Sequence, residues 1–305
     1  MQDKGKDLAM VSAAVLMDRA QARAEKRSLS VNGVISDYWF YPAKKSNAKN
    51  IVLIHGYRGD HHGLESFAGG LEDFNVYSPD IPGFGISQPL NKKHTLDNYI
   101  EWLIDFVAEL GLKRPIGIGH SFGTLMVCGA QSKKPIFEAL VCINPVAGGV
   151  TKGLSRLLMI FVKGYYWLSH KMPEGISMKM LKTSLLVDSM SAYTTKSKDK
   201  DLRLWIKKQH QMHFNSFANS DVVWESYVAS ISNTLQPYVA DLTVPILLVA
   251  AEKDEVTPVS AVLKLKDRLP QAQMHEVHNC GHLVHYEAAQ ETVDRIATFI
   301  NGMKS

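Results

Sequence analysis

The chain of 305 residues is long enough for one elaborated domain or for a core with an insertion. An apolar fraction of 46% and a charged fraction of 21% are typical of a globular protein and exclude a disordered or fibrous chain. The formal net charge of +4 is slight for this length, which argues against a protein dedicated to nucleic-acid binding.

Cysteine usage and hydropathy set the expected compartment. Cys128, Cys142 and Cys280 lie in apparent core elements without paired spacing, so we expect reduced thiols and a cytoplasmic location. No apolar run approaches the roughly 20 residues of a membrane span, so no stable membrane insertion is expected. Residues 1–27 are predicted to be a helical segment packed on the domain, because acidic residues interrupt the alternative pattern of a signal peptide.

Strands alternate with helices through the first half of the chain. Residues 28–31 and 35–41 are predicted strands joined by Asn32-Gly33, a strong hairpin signal. Further strands are predicted at 50–54, 76–78, 116–119 and 140–143, and helices at 64–71, at 94–110 with Thr95 as N-cap, and directly after Ser121. The continuous apolar runs indicate a mostly parallel sheet that is covered on both faces.

The alternation stops between about residues 147 and 237. That stretch predicts helices at 154–168, 172–190 and 202–217, after which a strand (244–250), a helix (259–269), a strand (273–277) and a helix (288–299) follow. We therefore predict an α/β core at 28–147 and 238–305, built on a twisted parallel sheet, with a helical cap inserted at 148–237.

One serine stands between a predicted strand and a predicted helix. The sequence Gly119-His120-Ser121-Phe122-Gly123 places glycines two residues before and two after it. A serine on such a sharp turn has a strained backbone. The turn leaves no room for bulky side chains at the flanking positions, and glycine has none. The N-terminus of the following helix presents N–H groups to a developing negative charge. Ser121 is thus a candidate nucleophile.

A serine nucleophile needs a base, and the base needs an orienting acid. Asp254 follows one predicted buried strand and His282 follows the last one. Because the carboxyl ends of parallel strands meet at one edge of the sheet, both side chains are expected to reach Ser121. Glu252 and Glu255 are weaker candidates for the acid by their position after the strand, whereas His278 and His285 remain alternatives for the base.

The sequence resembles the α/β-hydrolase family of the capped kind over nearly everything after residue 28. Five motifs stand in the family's order: His55-Gly56, Asp80-Ile81-Pro82-Gly83-Phe84-Gly85, the motif at 119–123, the Asp254 loop and Gly281-His282. The resemblance implies Ser121 as nucleophile, His282 as base and Asp254 as acid. It also implies an oxyanion hole formed by the backbone N–H groups of Tyr57 and Phe122.

Further positions carry weaker expectations. We expect substrate contacts from a set that surrounds the predicted nucleophile and the cap: Arg58, His120, Met159, Tyr166 and Trp167. Asp80 is expected to hold its loop by accepting hydrogen bonds from nearby backbone N–H groups. No metal is expected: the adjacent His61 and His62 should diverge, and nothing supports a site at His210 and His213, although they lie three apart on a predicted helix.

The predicted cap has twelve Lys or Arg residues and six Asp or Glu residues between positions 150 and 236. Such a surface either steers an anionic partner or is simply a solvated lysine face. The second explanation is the commoner one for a charged helix face.

The expected function is that of a serine hydrolase acting through an acyl-enzyme on a carboxylic ester with an apolar acyl or alcohol part. No cofactor is expected, because the triad needs none and Gly117-x-Gly119 lacks the third glycine of a dinucleotide fingerprint. The partner is a small molecule, and a homodimer is left open. Two alternatives stand: a carbon–carbon bond hydrolase, thioesterase or other triad hydrolase of this fold, and a non-catalytic small-ligand receptor on the same scaffold.

Overall fold

The computed structural model describes the backbone of residues 4–148 and 154–303 and the side chains of 13–148 and 160–303. This part of the chain contains an eight-stranded sheet in the order β1-β2-β4-β3-β5-β6-β7-β8. Its strands are β1 Glu25–Val31, β2 Val34–Tyr41, β3 Asn50–Ile54, β4 Asn75–Pro79, β5 Ile116–His120, β6 Ala139–Ile143, β7 Ile246–Ala251 and β8 Ala272–Val277.

Only the first two strands break the parallel arrangement. β1 and β2 form the predicted antiparallel hairpin, in which Asn32 and Gly33 have φ angles of 51° and 79°. β2 is also antiparallel to β4, whereas the pairs from β4 across to β8 are all parallel. The predicted fold class, a mostly parallel sheet with helices on both faces, is confirmed.

Helices cover the sheet and fill the interval between β6 and β7. They are α1 Lys4–Gln21, α2 Glu65–Gly70, α3 Leu96–Glu109, α4 Phe122–Lys133, α5 Leu154–Lys171, α6 Glu174–Leu181, α7 Ser184–Thr194, α8 Lys200–His213, α9 Ser220–Ile231, α10 Val259–Asp267, α11 Val284–Glu287 and α12 Ala289–Asn301. Short 3₁₀ helices span His61–Leu64 and Gln236–Asp241. No described helix has the length and apolar character needed to cross a membrane.

The sheet separates two apolar clusters. Along β3, Val52 and Ile54 belong to one cluster, and Ile51 and Leu53 belong to the other. Successive strand residues point to opposite faces, and here both faces are buried. This double burial is the physical reason for the continuous apolar runs in the sequence.

The helices between β6 and β7 differ from the prediction in their boundaries. The predicted helix 172–190 is two helices, because α6 ends at Leu181 and α7 begins at Ser184. Thr183 is the N-cap of α7, and its hydroxyl accepts a hydrogen bond of 3.3 Å from Leu186 N. Helix α9 was not predicted. It begins after Asn219, whose side chain caps Val222 N at 2.9 Å.

The N-terminal helix α1 lies against α2. Its described buried residues are Ala13, Leu16, Met17 and Ala20. The approach is close at Gly69, where an added Cβ atom would lie 1.7 Å from the carbonyl oxygen of Leu16. Any larger residue at position 69 would push the two helices apart.

Candidate active site

Ser121 lies on the turn between β5 and α4 with a strained backbone. Its φ and ψ angles are 51° and −118°, a conformation that non-glycine residues rarely adopt. Cβ atoms added at Gly119 and Gly123 would lie 2.5 Å from Gly123 O and 2.4 Å from Ile54 O respectively. Backbone atoms therefore fill the space around the turn, and only glycine fits at either position.

The loop after β3 lies against this turn. A Cβ atom on Gly56 would be 3.3 Å from Ser121 Cβ, so the loop at Gly56 lies close to the serine. His55 fixes the loop: Nδ1–H donates to Gly56 O at 2.9 Å, and Nε2 accepts from Ile81 N at 2.9 Å. Burial lowers the pKa of His55, which suits an imidazole that needs both a donor and an acceptor nitrogen.

Asp254 and His282 are joined in the loops after β7 and β8. His282 Nδ1–H donates to Asp254 Oδ2 at 2.7 Å, and Thr257 Oγ1 donates to the same oxygen at 2.6 Å. The second oxygen, Oδ1, accepts from the N–H groups of Val256 and Thr257. Burial alone would raise the pKa of Asp254, but the charge and hydrogen bond of His282 and the Thr257 bonds outweigh it and lower the pKa.

This bond determines the protonation of the imidazole. Because His282 Nδ1 carries the proton donated to Asp254, the neutral ring has an unprotonated Nε2. His282 and Ser121 both line the same cavity. An unprotonated imidazole nitrogen can act as a base towards a serine hydroxyl there.

The alternative acids and bases from the sequence lie in other surroundings. Glu252 accepts a hydrogen bond from Asn279 N at 2.7 Å, and Glu255 pairs with Lys196 at 2.9 Å. The His278 side chain is 73% exposed and lies near Glu252. His285 is buried with its Nδ1 unpaired, and burial holds its pKa well below the ordinary value.

Two polar residues behind the site hold the His282 backbone. His120 Nε2 and Asn144 Nδ2 lie 3.1 Å and 2.9 Å from the carbonyl oxygen of His282. Asn144 Oδ1 in turn accepts from Ala251 N at 3.0 Å, which links the ends of β6 and β7. Burial, followed by the neighbouring His282, lowers the pKa of His120 to about 3, so its ring is neutral. Sequence analysis missed Asn144, although a polar residue directly after a buried strand is the signal that found Asp254.

The motif residues around the site support these loops. Asp80 accepts hydrogen bonds from His61 N at 2.9 Å and Ile86 N at 3.0 Å, which confirms its predicted role in holding backbone. A Cβ atom on Gly281 would lie 2.5 Å from Thr194 O, so the residue before His282 is limited to glycine by the inserted helix α7. Burial, together with Glu287, raises the pKa of Cys280 and leaves its thiol protonated.

A cavity of about 380 Å³ opens at Ser121. Tyr57, Phe122 and His282 line it on the core side. The inserted helices contribute mostly apolar and aromatic side chains that sequence analysis did not single out: Val162, Leu186, Met190, Phe214, Tyr227 and Ile231. Among the lining residues that the structure describes there is no lysine or arginine.

Only some of the residues predicted to contact the substrate line the cavity. His120 and Tyr166 line the cavity, whereas the Trp167 side chain is 51% exposed and lies outside the lining. The side chain of Met159 lies outside the described residues.

Arg58 is also outside the lining, in contrast to the expectation from sequence. It is fully buried, and its guanidinium donates at 2.9 Å to each of Tyr166 Oη, Leu181 O and Asn215 Oδ1. These three acceptors all belong to the segment between β6 and β7. Arg58 therefore binds that segment to the core.

The expectation that His61 and His62 diverge is wrong. Their ring centroids are 3.8 Å apart, and His62 also stacks on His213 at 3.9 Å. The two residues begin the 3₁₀ helix His61–Leu64, and their rings turn towards each other. His210, the other member of the predicted pair, instead packs near Phe214 and Tyr286.

The model of the α/β hydrolase fold family matches residues 49–289 of the chain. The chain belongs to this family. As a member, it is a hydrolase, and its relatives carry several activities. Lipase 3 of Moraxella sp. (strain TA144) is 24% identical over 302 residues, covering 94% of this chain and 88% of the relative. A 2-hydroxy-6-oxononadienedioate/2-hydroxy-6-oxononatrienedioate hydrolase of Pseudomonas putida is 22% identical, covering 90% and 95% respectively.

The fold of this hydrolase agrees with solved structures. A structure described as that of a lipase from Acinetobacter baumannii AYE superposes with a TM-score of 0.73 at 19% sequence identity, covering 95% of each chain. At that identity the likeness concerns the fold.

Proposed function

We propose that this hydrolase cleaves carboxylic esters with an apolar acyl or alcohol part, with Ser121 as nucleophile. The observation that carries the proposal is the strained serine on the wall of a cavity that it shares with the Asp254-oriented His282. The apolar lining of that cavity supports an apolar substrate, and its volume of about 380 Å³ falls in the range of small-molecule sites, roughly 300–1,000 Å³.

The reaction follows from the protonation of each group. Nε2 of His282 takes the proton of Ser121 as the hydroxyl oxygen attacks the ester carbonyl, and the imidazolium is stabilised by Asp254. The backbone N–H groups of Tyr57 and Phe122 stabilise the oxyanion. The imidazolium then gives its proton to the leaving alcohol, and water activated by His282 hydrolyses the acyl-enzyme.

We propose that residues 148–237 act as a cap over a core formed by 28–147 and 238–305. Helices α5, α7, α8 and α9 contribute side chains to the cavity, and Gly281 lies against Thr194 O. The three hydrogen bonds of Arg58 support the same view, because they attach this segment to the loop that carries Tyr57. Substrate selection would therefore depend on the cap.

The curated relative from Pseudomonas putida supplies the second candidate, carbon–carbon bond hydrolysis. Its named substrates are dioates, which carry two carboxylates. A site for such a dianion needs basic side chains, because a buried carboxylate without a partner is costly. The described lining offers no lysine or arginine to hold two carboxylates, and it includes the acids Asp60 and Glu255. This favours the ester.

A paired substrate series tests the proposal. We expect measurable kcat/KM on nitrophenyl esters, rising from acetate to medium acyl chains as more apolar surface is buried, and no turnover of dienone acids. The Ser121→Ala variant serves as the blank for both substrate classes. If the dienone acid were turned over at a higher kcat/KM than every ester, carbon–carbon bond hydrolysis would be the better assignment.

A further inference from the structure

A cluster of potential metal ligands lies beside the active-site cavity. Asp60, His62 and His213 each offer one ligand atom, and these atoms lie within 4.8 Å of one another. Asp60 and His62 belong to the loop after β3, whereas His213 is the last residue of α8. The stacked rings of His62 and His213 place two imidazoles, from distant parts of the sequence, next to one carboxylate.

Two buried carboxylates in this region, Asp60 and Asp80, have no lysine or arginine partner among the described residues. Asp60 and Asp80 are 3% and 0% exposed, and among the described residues only histidines form ion pairs with them. Asp80 is paired with His61 at 2.9 Å, whereas Asp60 Oδ1 is 3.3 Å from His62 Nδ1. Asp80 is stabilised by hydrogen bonds from His61 N, His61 Nδ1 and Ile86 N, whereas Asp60 accepts one of 3.0 Å from His62 N. A buried carboxylate needs a counter-charge or several hydrogen bonds. A divalent cation at Asp60 would supply that charge.

One nitrogen of the cluster is buried without a partner. His62 Nδ1 has no hydrogen-bond partner among the described residues, although it lies 3.3 Å from Asp60 Oδ1. A buried polar atom without a partner costs free energy, and such exceptions mark sites for water, ions or chemistry. His62 is one of the three residues of the cluster.

We propose that Asp60, His62 and His213 form a binding site for Zn²⁺. Two imidazole nitrogens and one carboxylate oxygen are a donor set of the kind that zinc takes, whereas Mg²⁺ and Ca²⁺ prefer oxygen ligands alone. Bond lengths of about 2.0–2.2 Å require the three ligand atoms to draw together to about 3.3 Å. Neither imidazole is fully buried, and His213 is the last residue of α8, so we expect side-chain rotations of these two residues to supply this movement.

The cavity gives the ion a route and a fourth ligand. Asp60 and His213 both line the cavity, so zinc entering from it keeps one coordination position open to water. A second set of ligand atoms, from His61, His62 and Glu65, is less suitable. There His61 is already bound to Asp80, and Glu65 accepts a hydrogen bond of 2.8 Å from Gln21.

The structural consequence is a link between the core and the inserted helices. Zinc at this site joins the loop that follows Tyr57 to the C-terminal end of α8. A ligand that binds only the folded protein stabilises it by mass action. Zinc binding is therefore expected to raise the melting temperature of the full chain, independently of whether an ester is the substrate.

Titration calorimetry and thermal unfolding of the tag-free full chain with ZnCl₂ test the site. We expect one zinc ion per chain and a Tm increase of about 3–5 °C at zinc concentrations about 100-fold above Kd. Asp60→Asn and His213→Ala should each weaken zinc binding at least about 100-fold, since losing a ligand costs more than losing the partner of a ligand. Asn at position 60 retains the side-chain oxygen that caps the 3₁₀ helix, so this variant is expected to fold.

His278→Ala is the matched control, because it removes an exposed histidine that lies outside the cluster. It should bind zinc as tightly as the unmodified chain. Circular dichroism without zinc verifies that each variant is folded. Absence of zinc binding at about 100 µM by the unmodified chain would overturn the proposal, as would unchanged affinity in the folded Asp60→Asn variant.

Discussion

Asp254 Oδ2 accepts a hydrogen bond of 2.7 Å from Nδ1 of His282, and Thr257 Oγ1 donates to the same oxygen. The carboxylate is thus fully satisfied and held in one orientation, and its lowered pKa keeps it charged at neutral pH. The imidazole is consequently fixed in the tautomer that leaves Nε2 unprotonated. This contact orients the imidazole ring, while His120 and Asn144 hold the His282 backbone.

Asp254→Asn should lower kcat about 10³–10⁴-fold with little change in KM, because an amide can stabilise the wrong tautomer of His282. Glu252→Gln is the control. That residue lies on the same loop but bonds to Asn279 N, so its removal should leave kcat unchanged. Steady-state kinetics on one nitrophenyl ester compare the two variants. If Glu252→Gln shows the greater loss, the assignment of the acid is wrong.

Gly123→Ala should distort the nucleophile turn. The added Cβ atom would lie 2.4 Å from Ile54 O and 2.8 Å from His55 O, which are backbone atoms of β3 and the loop beside Tyr57. We expect a loss of about 2–4 kcal/mol in the free energy of unfolding, together with a fall in kcat.

Gly164→Ala provides the comparison for that variant in chemical denaturation. Gly164 lies within α5, and nothing lies within 4 Å of an added Cβ atom there. Alanine in a helix interior should stabilise the protein by up to about 1 kcal/mol. Equal stability of the two variants would show that the turn around Ser121 has more space than the structure gives it.

The fold was predictable where both faces of the sheet are buried. Residues such as Ile51 and Val52 of β3 are fully buried on opposite faces, so the sequence there is an unbroken apolar run. The inserted helices are harder to delimit, because exposed apolar residues such as Phe161, 74% exposed, weaken the amphipathic pattern. The end of α6 and the start of α7 depend on the cap at Thr183, which a periodicity argument does not detect.

The proximity of the candidate residues was predictable because they are local in sequence or lie at strand ends. Glycines flank Ser121, and Asp254 and His282 follow consecutive strands of the chain, so motif and topology predicted that the three side chains come to one edge of the sheet. Arg58 was not predictable in the same way. Its side chain is held by Leu181 O and Asn215 Oδ1, and only the folded structure shows that these distant residues lie next to it. The same is true of the His62–His213 stack.

Arg58→Lys should destabilise the protein without removing the nucleophile. Lysine keeps the charge but cannot reach Tyr166, Leu181 and Asn215 together, so buried acceptors lose their donor at a cost of about 2–4 kcal/mol. Arg27→Lys is the matched control, since Arg27 is partly exposed and pairs with Glu25 on the surface. Denaturant midpoints should fall for the first variant only. An unchanged denaturant midpoint together with a large rise in KM for Arg58→Lys would instead indicate that Arg58 binds the substrate.

His120 should make the protein less stable in mild acid. The unfolded histidine takes up a proton below its ordinary pKa of about 6.5, whereas the folded one does so only near 3. Between these values the unfolded state binds more protons, so stability falls as the pH falls, by about 2 kcal/mol from this group between pH 7.5 and pH 5.

The corresponding measurement is the free energy of unfolding at both pH values. In His120→Asn the difference between pH 7.5 and pH 5 should be about 2 kcal/mol smaller than in the unmodified chain. His278→Asn, at an exposed position, should leave the difference unchanged. An identical difference in all three proteins would mean that the His120 ring accepts its proton in the folded state.

The account depends most on Ser121 as the nucleophile, and covalent labelling by a fluorophosphonate tests it most directly. Intact-mass spectrometry should show one adduct on the unmodified chain and none on a folded Ser121→Ala variant, while Asp254→Asn should label far more slowly. Adduct formation on Ser121→Ala at the unmodified rate, or none on the unmodified chain, would contradict the account.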